Sequence, residues 1–124
     1  MYKITFDNAK NRLYVTVQGS LTIEEVPQYL KDFKAAVDKA KPGFTVCVDN
    51  TKAKLNTPEV AERLIEARDY SISKGLKNSA MVVDGVTFKM QMKRLFKDLG
   101  NVFETMEEAD KFLDAAPDFR EQMK

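Results

Sequence analysis

Apolar and polar positions along the chain follow two periods, one of two residues and one of a helical turn. The segments 2–7 and 13–18 alternate apolar with polar residues, which is typical of half-buried strands. The turn residues at 8–11 between them predict an antiparallel hairpin. Compact apolar runs at 44–48 and 80–83, together with a short one at 101–104, predict three further strands.

Each strand from the second onward is followed by a segment with one apolar stripe at helical spacing. Thr22 and Thr105 each precede a glutamate by three residues, which is the capping-box pattern, and Thr57 stands before a proline that suits a first helical turn. Glycine residues stop the first three of these segments. The predicted helices cover 23–40, 58–74, 88–99 and 106–116, and a loose helical tail follows from 117.

The order of the predicted elements is ββα(βα)₃, which favours an α/β fold with a single mixed five-stranded sheet and four helices. We expect three parallel strands and an antiparallel edge formed by the N-terminal strand. The order of the strands and the division of the helices between the two faces are left open. With 124 residues, the chain fits one domain spanning 1–124. The expected core of the sheet comprises Val15, Val17, Val46, Val48, Met81 and Val82.

Composition argues against several classes of function. The chain carries 20 lysines and arginines against 19 aspartates and glutamates, so its charge gives no basis for binding nucleic acid. No stretch is apolar enough to predict a signal peptide or a membrane span. The single Cys47, between two valines, predicts a buried thiol in a reducing cytoplasm. Because the chain also lacks histidine and a glycine-rich phosphate loop, we predict no catalytic residue, no metal site and no cofactor.

Two stretches of the sequence carry a resemblance to a known family. The first is VTVQGSLT at 15–22, and the second is 80–113, where a buried strand and a helix ending in Leu99-Gly100 precede VFETMEEA. With the order of the elements, they resemble the STAS domain of the bacterial anti-sigma-factor antagonists and the related SpoIIAA-like proteins over nearly the whole chain. The resemblance implies a cytoplasmic regulatory module that binds a protein partner without catalysis. Its SpoIIAA-like branch implies an apolar or lipid-like ligand between helices.

Thr57 stands where this resemblance implies a regulatory residue. The antagonist branch carries a phosphorylated serine in an Asp-Ser-Ser-Gly-like turn before its second helix, and this sequence has Asn56-Thr57-Pro58-Glu59 there. The acid and the glycine are absent and only a hydroxyl is retained, so Thr57 is the candidate phosphoacceptor. A plain helix cap explains threonine, proline and glutamate together, and we favour it. The Thr57 oxygen then accepts a hydrogen bond from the N–H of Glu59 or Val60.

Four further residues are candidates for binding or chemistry. Asp49 and Asp84 follow two predicted strands at the edge where ligands of α/β sheets gather. They are either a pair of carboxylates at a site or ordinary turn residues. Arg68 lies within the apolar stripe of its helix, where it binds an anionic ligand or partner or, as we favour, pairs with a nearby carboxylate. Asn56 belongs to the loop before the cap.

Three hypotheses for function follow. The leading one is a non-catalytic binding module that acts through the 49–57 loop and the N-terminus of the next helix. The alternative is a carrier of a small apolar or lipid-like ligand, with a pocket of several hundred Å³ between the helices predicted over 58–74 and 88–99. A small enzyme using the strand-end aspartates ranks last. The basic face of the 88–99 helix is interpreted as solvated, and a homodimer is compatible with the first two hypotheses.

Overall fold

The computed structural model describes residues 1–54, 56–85, 90 and 101–116, and within them it contains five strands and three helices. In chain order these elements are β1 (Tyr2–Asp7), β2 (Arg12–Gly19), α1 (Val26–Lys39), β3 (Thr45–Ala53), α2 (Pro58–Ser73), β4 (Asn78–Val83), β5 (Val102–Phe103) and α3 (Met106–Ala115). The helix predicted over 88–99, apart from Met90, and the predicted tail from 117 lie outside the described residues. The prediction of four helices is therefore tested for three of them.

The strands form one mixed sheet in the order β1-β2-β3-β4-β5. β1 pairs antiparallel with β2 at one edge, which confirms the predicted hairpin and its antiparallel edge strand. Every other pairing is parallel, so four strands run in one direction rather than the three expected. The additional parallel strand is β2, which pairs with β1 on one side and with β3 on the other. Helix α1 provides the long connection that the parallel neighbours β2 and β3 need.

β3 is longer than the apolar run that predicts it. The apolar pattern predicts a strand that ends at Val48 with a polar loop after it, whereas β3 continues to Ala53. Asp49 pairs with Thr16 of β2 and, beyond a bulge, Ala53 pairs with Gly19. β4 pairs with this stretch as far as Asn50, and pairing with β2 extends it to Ala53, although most of these side chains are polar and all are exposed or half-buried. A local apolar pattern does not contain that information.

The three described helices lie on both faces of the sheet, a division that the sequence left open. α1 and α2 pack against one face, and α3 packs against the other through Ala109 and Leu113. Of the predicted sheet core, Val48 and Met81 are only partly buried, and they pair with each other across β3 and β4. Burial is confirmed for the other four residues, Val15, Val17, Val46 and Val82.

The predicted starts of the three described helices are present, with one shift. Thr22 and Glu25 form the expected capping box, since the Thr22 N–H donates to Oε1 of Glu25 at 3.1 Å and the Glu25 N–H donates to Oγ1 of Thr22 at 3.2 Å. This box closes a turn in front of the helix, and regular α1 begins later, at Val26. At α3, the Glu108 N–H donates to Oγ1 of Thr105 at 3.2 Å, as predicted.

Candidate functional site

Two connections lie side by side at the end of the sheet where strands β2 and β3 finish. The Leu21 N–H donates to Oδ1 of Asn56 at 2.9 Å, and the Lys54 N–H donates to the carbonyl oxygen of Gly19 at 2.9 Å. These bonds join the β2–α1 connection to the β3–α2 connection. Asn56, predicted only as a binding candidate, therefore also holds the backbone of this edge in place.

Thr57 caps α2, as predicted. Its backbone is extended, with φ −63° and ψ 155°, and its Oγ1 accepts a hydrogen bond from the Val60 N–H at 3.3 Å. Glu59 adds an acidic side chain in the first turn, where the helix dipole favours negative charge. Because Thr57 is exposed, the N-terminus of α2 presents a hydroxyl to solvent beside the Asn56 connection.

A cavity of about 160 Å³ lies between the sheet and the face of α2. Small side chains of α2, those of Ala61, Ala67 and Ser71, line it and leave the space unfilled. On the sheet side, Val48 and Met81 border it, which is why these central strand residues are only partly buried. The predicted pocket was to lie between α2 and the 88–99 helix, and that helix lies outside the described residues.

Among the described residues, Arg68 and Lys54 are the cationic side chains that line the cavity. The Arg68 side chain is 24% exposed, and its Nη2 lies 3.5 Å from Oδ1 of Asp69, so the predicted pairing with a carboxylate is confirmed. Asp69 exposes 65% of its side chain and is not among the residues lining the cavity. An exposed ion pair at this distance contributes little to stability.

The strand-end aspartates show no sign of acting together. Oδ1 of Asp49 accepts hydrogen bonds from the backbone N–H and the hydroxyl of Thr51, at 3.0 and 2.7 Å. Asp49 pairs with Val82, two residues before the exposed Asp84. In the part of the chain that the structure describes, no group of three or more histidine, cysteine, aspartate or glutamate side chains could hold a metal ion. Asp49 lies inside β3 and not at its end, so the prediction of a strand-end or turn residue is wrong for Asp49. Asp84 follows the end of β4, as predicted.

Cys47 is fully buried on the α3 face of the sheet, as predicted. Burial, with the negative charge of Asp110 nearby, raises the pKa of its thiol to about 12. The thiol is therefore protonated at neutral pH and is a poor nucleophile.

A buried ionic cluster on the same face was not predicted. Arg12 has 3% of its side chain exposed, and its guanidinium donates to Asp110 at 3.0 Å and to Asp114 at 2.9 Å, both on α3. Its Nε donates to the hydroxyl of Thr45 at 2.8 Å, and the Tyr14 hydroxyl donates to Asp110 at 2.7 Å. One sequence signal could have indicated this cluster: Asp110 and Asp114 are four residues apart and so lie on one face of a predicted helix.

Comparison with known proteins places the fold. No family model and no curated protein sequence matches the chain. A protein from the DUF3478 family with a SpoIIAA-like fold, from Shewanella loihica PV-4, is similar in structure with a TM-score of 0.71 and 17% identity, over 90% of this chain and 93% of that one. None of the described helices is long and apolar enough to cross a membrane.

Two anti-sigma factor antagonists are similar as well. SpoIIAA in its unphosphorylated form has a TM-score of 0.68 and 12% identity, over 93% of this chain and 99% of that one. An anti-sigma factor antagonist from Mycobacterium paratuberculosis has a TM-score of 0.66 and 14% identity, over 92% and 95%. The chain has the SpoIIAA-like fold, and the resemblance seen in the sequence is confirmed at the level of the fold.

Proposed function

We propose that the chain is a single-domain, non-catalytic regulatory module of the cytoplasm that binds a protein partner. The binding surface consists of the β3–α2 connection and the first turn of α2, with Asn56, Thr57 and Glu59. The observation that carries this proposal is an exposed helix N-terminus whose preceding connection is fixed by the bond from Leu21 to Asn56. A fixed surface binds a partner with little loss of conformational entropy.

The fold supports a protein as the partner. Two of the similar structures are anti-sigma factor antagonists, which act on another protein. The class of partner proposed here is therefore a protein related to an anti-sigma factor. The β3–α2 surface has mixed polar character, as the rims of protein interfaces commonly have.

A site-specific crosslinking experiment tests this surface. In one variant, a photo-crosslinking amino acid replaces Glu59, which is exposed in the first turn of α2. In the matched control variant, it replaces Lys39, which is exposed at the C-terminal end of α1, toward the opposite end of the strands. Irradiation of cells should yield one defined covalent complex from position 59 and not from position 39. Crosslinks of equal yield from both positions, or none from position 59, would contradict the proposed surface.

Thr57 is the proposed regulatory residue on this surface. A phosphate there carries close to two negative charges at the N-terminus of α2, where backbone N–H groups and the helix dipole favour an anion. Thr57→Glu should lower the yield of the crosslinked complex several-fold, whereas Thr57→Ser, which keeps a capping hydroxyl, should leave it unchanged. If Thr57→Glu leaves the yield unchanged, the regulatory role is wrong and the cap alone remains.

The carrier hypothesis receives limited support. Pockets that bury a drug-sized ligand measure roughly 300–1,000 Å³, and the cavity measures about 160 Å³. The cavity is therefore too small to enclose a lipid. It has room for a smaller apolar group.

A further inference from the structure

We infer that the outer edge of β1 is a homodimer interface, where a second copy of the chain pairs antiparallel through its own β1 and joins the two five-stranded sheets into one. The two strands are related by a two-fold axis that passes beside Thr5. This interface goes beyond the proposed function. It does not depend on the proposed protein partner, because its evidence is the backbone and the side chains of β1.

The outer side of β1 carries backbone groups that a further strand can bind. The Met1 amine donates to the carbonyl oxygen of Gln18 at 3.1 Å, and the Gln18 N–H donates to that of Met1 at 2.8 Å. Such bonded pairs alternate along antiparallel strands, so the odd-numbered residues of β1 bond to β2. The N–H and C=O groups of Tyr2, Ile4 and Phe6 therefore point to the outer edge. In the described part of the chain, β2 is the only strand that pairs with β1.

The same three residues place apolar side chains beside this edge. Tyr2, Ile4 and Phe6 pack against the core on the α1 face of the sheet and are only partly buried. The Tyr2 hydroxyl donates to Asp32 of α1 at 2.6 Å, which holds the start of the strand in place. An edge strand with apolar side chains is a template for pairing with another chain. Because β1 is already fixed, pairing costs little conformational entropy.

The charges on the other face of β1 select one register. Since only even-numbered residues point their backbone groups outward, two copies pair even-numbered residues with each other. With Thr5 beside the axis, Ile4 lies opposite the partner's Phe6, and Lys3 lies opposite the partner's Asp7. The pattern is self-complementary, as a two-fold interface requires, and it forms two pairs of opposite charge. An axis moved to Ile4 or Phe6 leaves Lys3 opposite an uncharged residue.

Sedimentation equilibrium of the whole purified chain tests the association. A seam of one strand is smaller than standard protein interfaces, so we expect a dissociation constant of the order of 100 μM. The fraction of dimer should therefore rise between about 10 μM and about 1 mM chain. A chain that stays monomeric throughout this range overturns the inference, and Lys3 is then a charge that protects an unpaired edge.

Amide hydrogen exchange tests which backbone groups enter the seam. When the concentration is raised through the dissociation constant, the N–H groups of Ile4 and Phe6 should exchange several-fold more slowly, because they donate to the second copy. The N–H of Thr5 donates to β2 in the monomer and in the dimer, so its exchange should change least. Exchange that slows in another element and not at Ile4 and Phe6 overturns the inference.

Engineered disulfides test the register. Thr5 lies opposite itself in a pair without hydrogen bonds, where the Cα atoms are about 4.5 Å apart, a distance that a disulfide spans. Thr5→Cys should give a covalent dimer with oxidised glutathione. Lys3→Cys, also exposed on this strand, lies roughly 14 Å from its copy and should give far less. Lys3→Cys mixed with Asp7→Cys should restore the covalent dimer. The native Cys47 is buried. Equal yields from Thr5→Cys and Lys3→Cys overturn the inference.

Charge variants test the pairing of Lys3 with Asp7. Lys3→Glu should weaken the dimer about tenfold by making both charge pairs repulsive, whereas Lys52→Glu makes the same change on an exposed residue of β3 and should have no effect. Lys3→Asp combined with Asp7→Lys should restore association to within about threefold of the parent chain.

Urea unfolding reports whether the double variant is folded, since Asp7 also accepts from the Lys10 N–H at 3.1 Å in the hairpin turn. Equal losses in Lys3→Glu and Lys52→Glu overturn the inference. A folded double variant that associates no better than Lys3→Glu overturns it as well.

Discussion

Arg12 lies in β2 with its guanidinium almost fully enclosed, between Thr45 of the neighbouring strand and two aspartates of α3. A buried charge is tolerated when each of its polar atoms meets a partner. The two aspartates are unequal, since Asp110 accepts from Arg12 and from Tyr14 and exposes 29% of its side chain, whereas Asp114 exposes 60%. Water can therefore replace a lost hydrogen bond more readily at Asp114 than at Asp110.

Asp110→Ala should therefore destabilise the chain more than Asp114→Ala. The first change leaves buried Arg12 and the Tyr14 hydroxyl each short of a partner and should cost about 2–3 kcal/mol. The second removes a partner whose carboxylate is mostly exposed, so that water can take its place beside Arg12, and it should cost about 1 kcal/mol. Both are the same chemical change on the same helix, so helix propensity cancels. Urea unfolding of the two variants measures the difference, and equal losses would show that Asp110 has no special place in the cluster.

The Thr57 cap makes a second prediction for a single residue. Thr57→Ala removes the oxygen that accepts from the Val60 N–H and should lower the free energy of unfolding by about 0.5–2 kcal/mol. Thr57→Ser keeps that oxygen and should lose less than half as much. Thermal unfolding of both variants provides the test, and an alanine variant as stable as the parent chain would mean that water replaces the cap without loss.

At the scale of elements, local signals predicted α2 closely and β3 poorly. The sequence predicts α2 over 58–74 and it runs from Pro58 to Ser73, because threonine, proline and glycine act on their own neighbours. β3 extends to Ala53 through pairing with a strand about thirty residues earlier, which no local pattern records. The same limit applies to Val48 and Met81, whose partial burial depends on small residues of another element.

The turn after α2 carries a prediction at this scale. Gly75 has a φ of +97°, and a Cβ added there would lie 3.1 Å from Cα and Cβ of Pro42 in the connection between α1 and β3. Gly85 has a similar φ of +96° and nothing within 4 Å. Gly85→Ala should thus cost about 1–2 kcal/mol from backbone strain. Gly75→Ala should cost more, because it also displaces Pro42.

Urea unfolding of the two alanine variants measures this difference under identical conditions. The slope with denaturant should stay the same in both, since neither change exposes new surface on unfolding. If the free energy of unfolding falls no more in Gly75→Ala than in Gly85→Ala, the connection that contains Pro42 has room to move away from the added methyl group.

For the whole molecule, the order of the elements was enough to predict the α/β fold, because few architectures bury such a pattern. The resemblance also needed the two stretches at 15–22 and 80–113. A pocket beside α2 was among the hypotheses, but the size and the walls of the cavity were not predictable. They depend on which side chains of α2 meet which residues of β3 and β4, and the sequence does not record those contacts. Arg12 was missed for a similar reason, since its partners lie about a hundred residues away in the chain.

All four tyrosines share a property that belongs to the whole molecule. Burial, followed by the hydrogen bond to Asp32, raises the pKa of Tyr2 to about 12, and burial raises that of Tyr29 further. Burial with Asp110 raises the pKa of Tyr14, and the hydrogen bond to Asp38 raises that of Tyr70. In the unfolded chain these groups titrate near pH 10 by the usual value for tyrosine. The folded chain therefore keeps protons that the unfolded chain releases.

Stability should then fall as the pH rises above about 10 and continue to fall through about 12, because the unfolded state binds fewer protons than the folded state across that range. Tyr29→Phe removes the most deeply buried of these hydroxyls and should make the loss of stability between about pH 9 and pH 12 smaller. Tyr70→Phe, at a half-buried side chain, should change it less. Urea unfolding at both pH values, with tyrosinate absorbance as a second readout, measures the change. An alkaline loss that is the same in Tyr29→Phe and in the parent chain would assign it to other groups, such as the lysines.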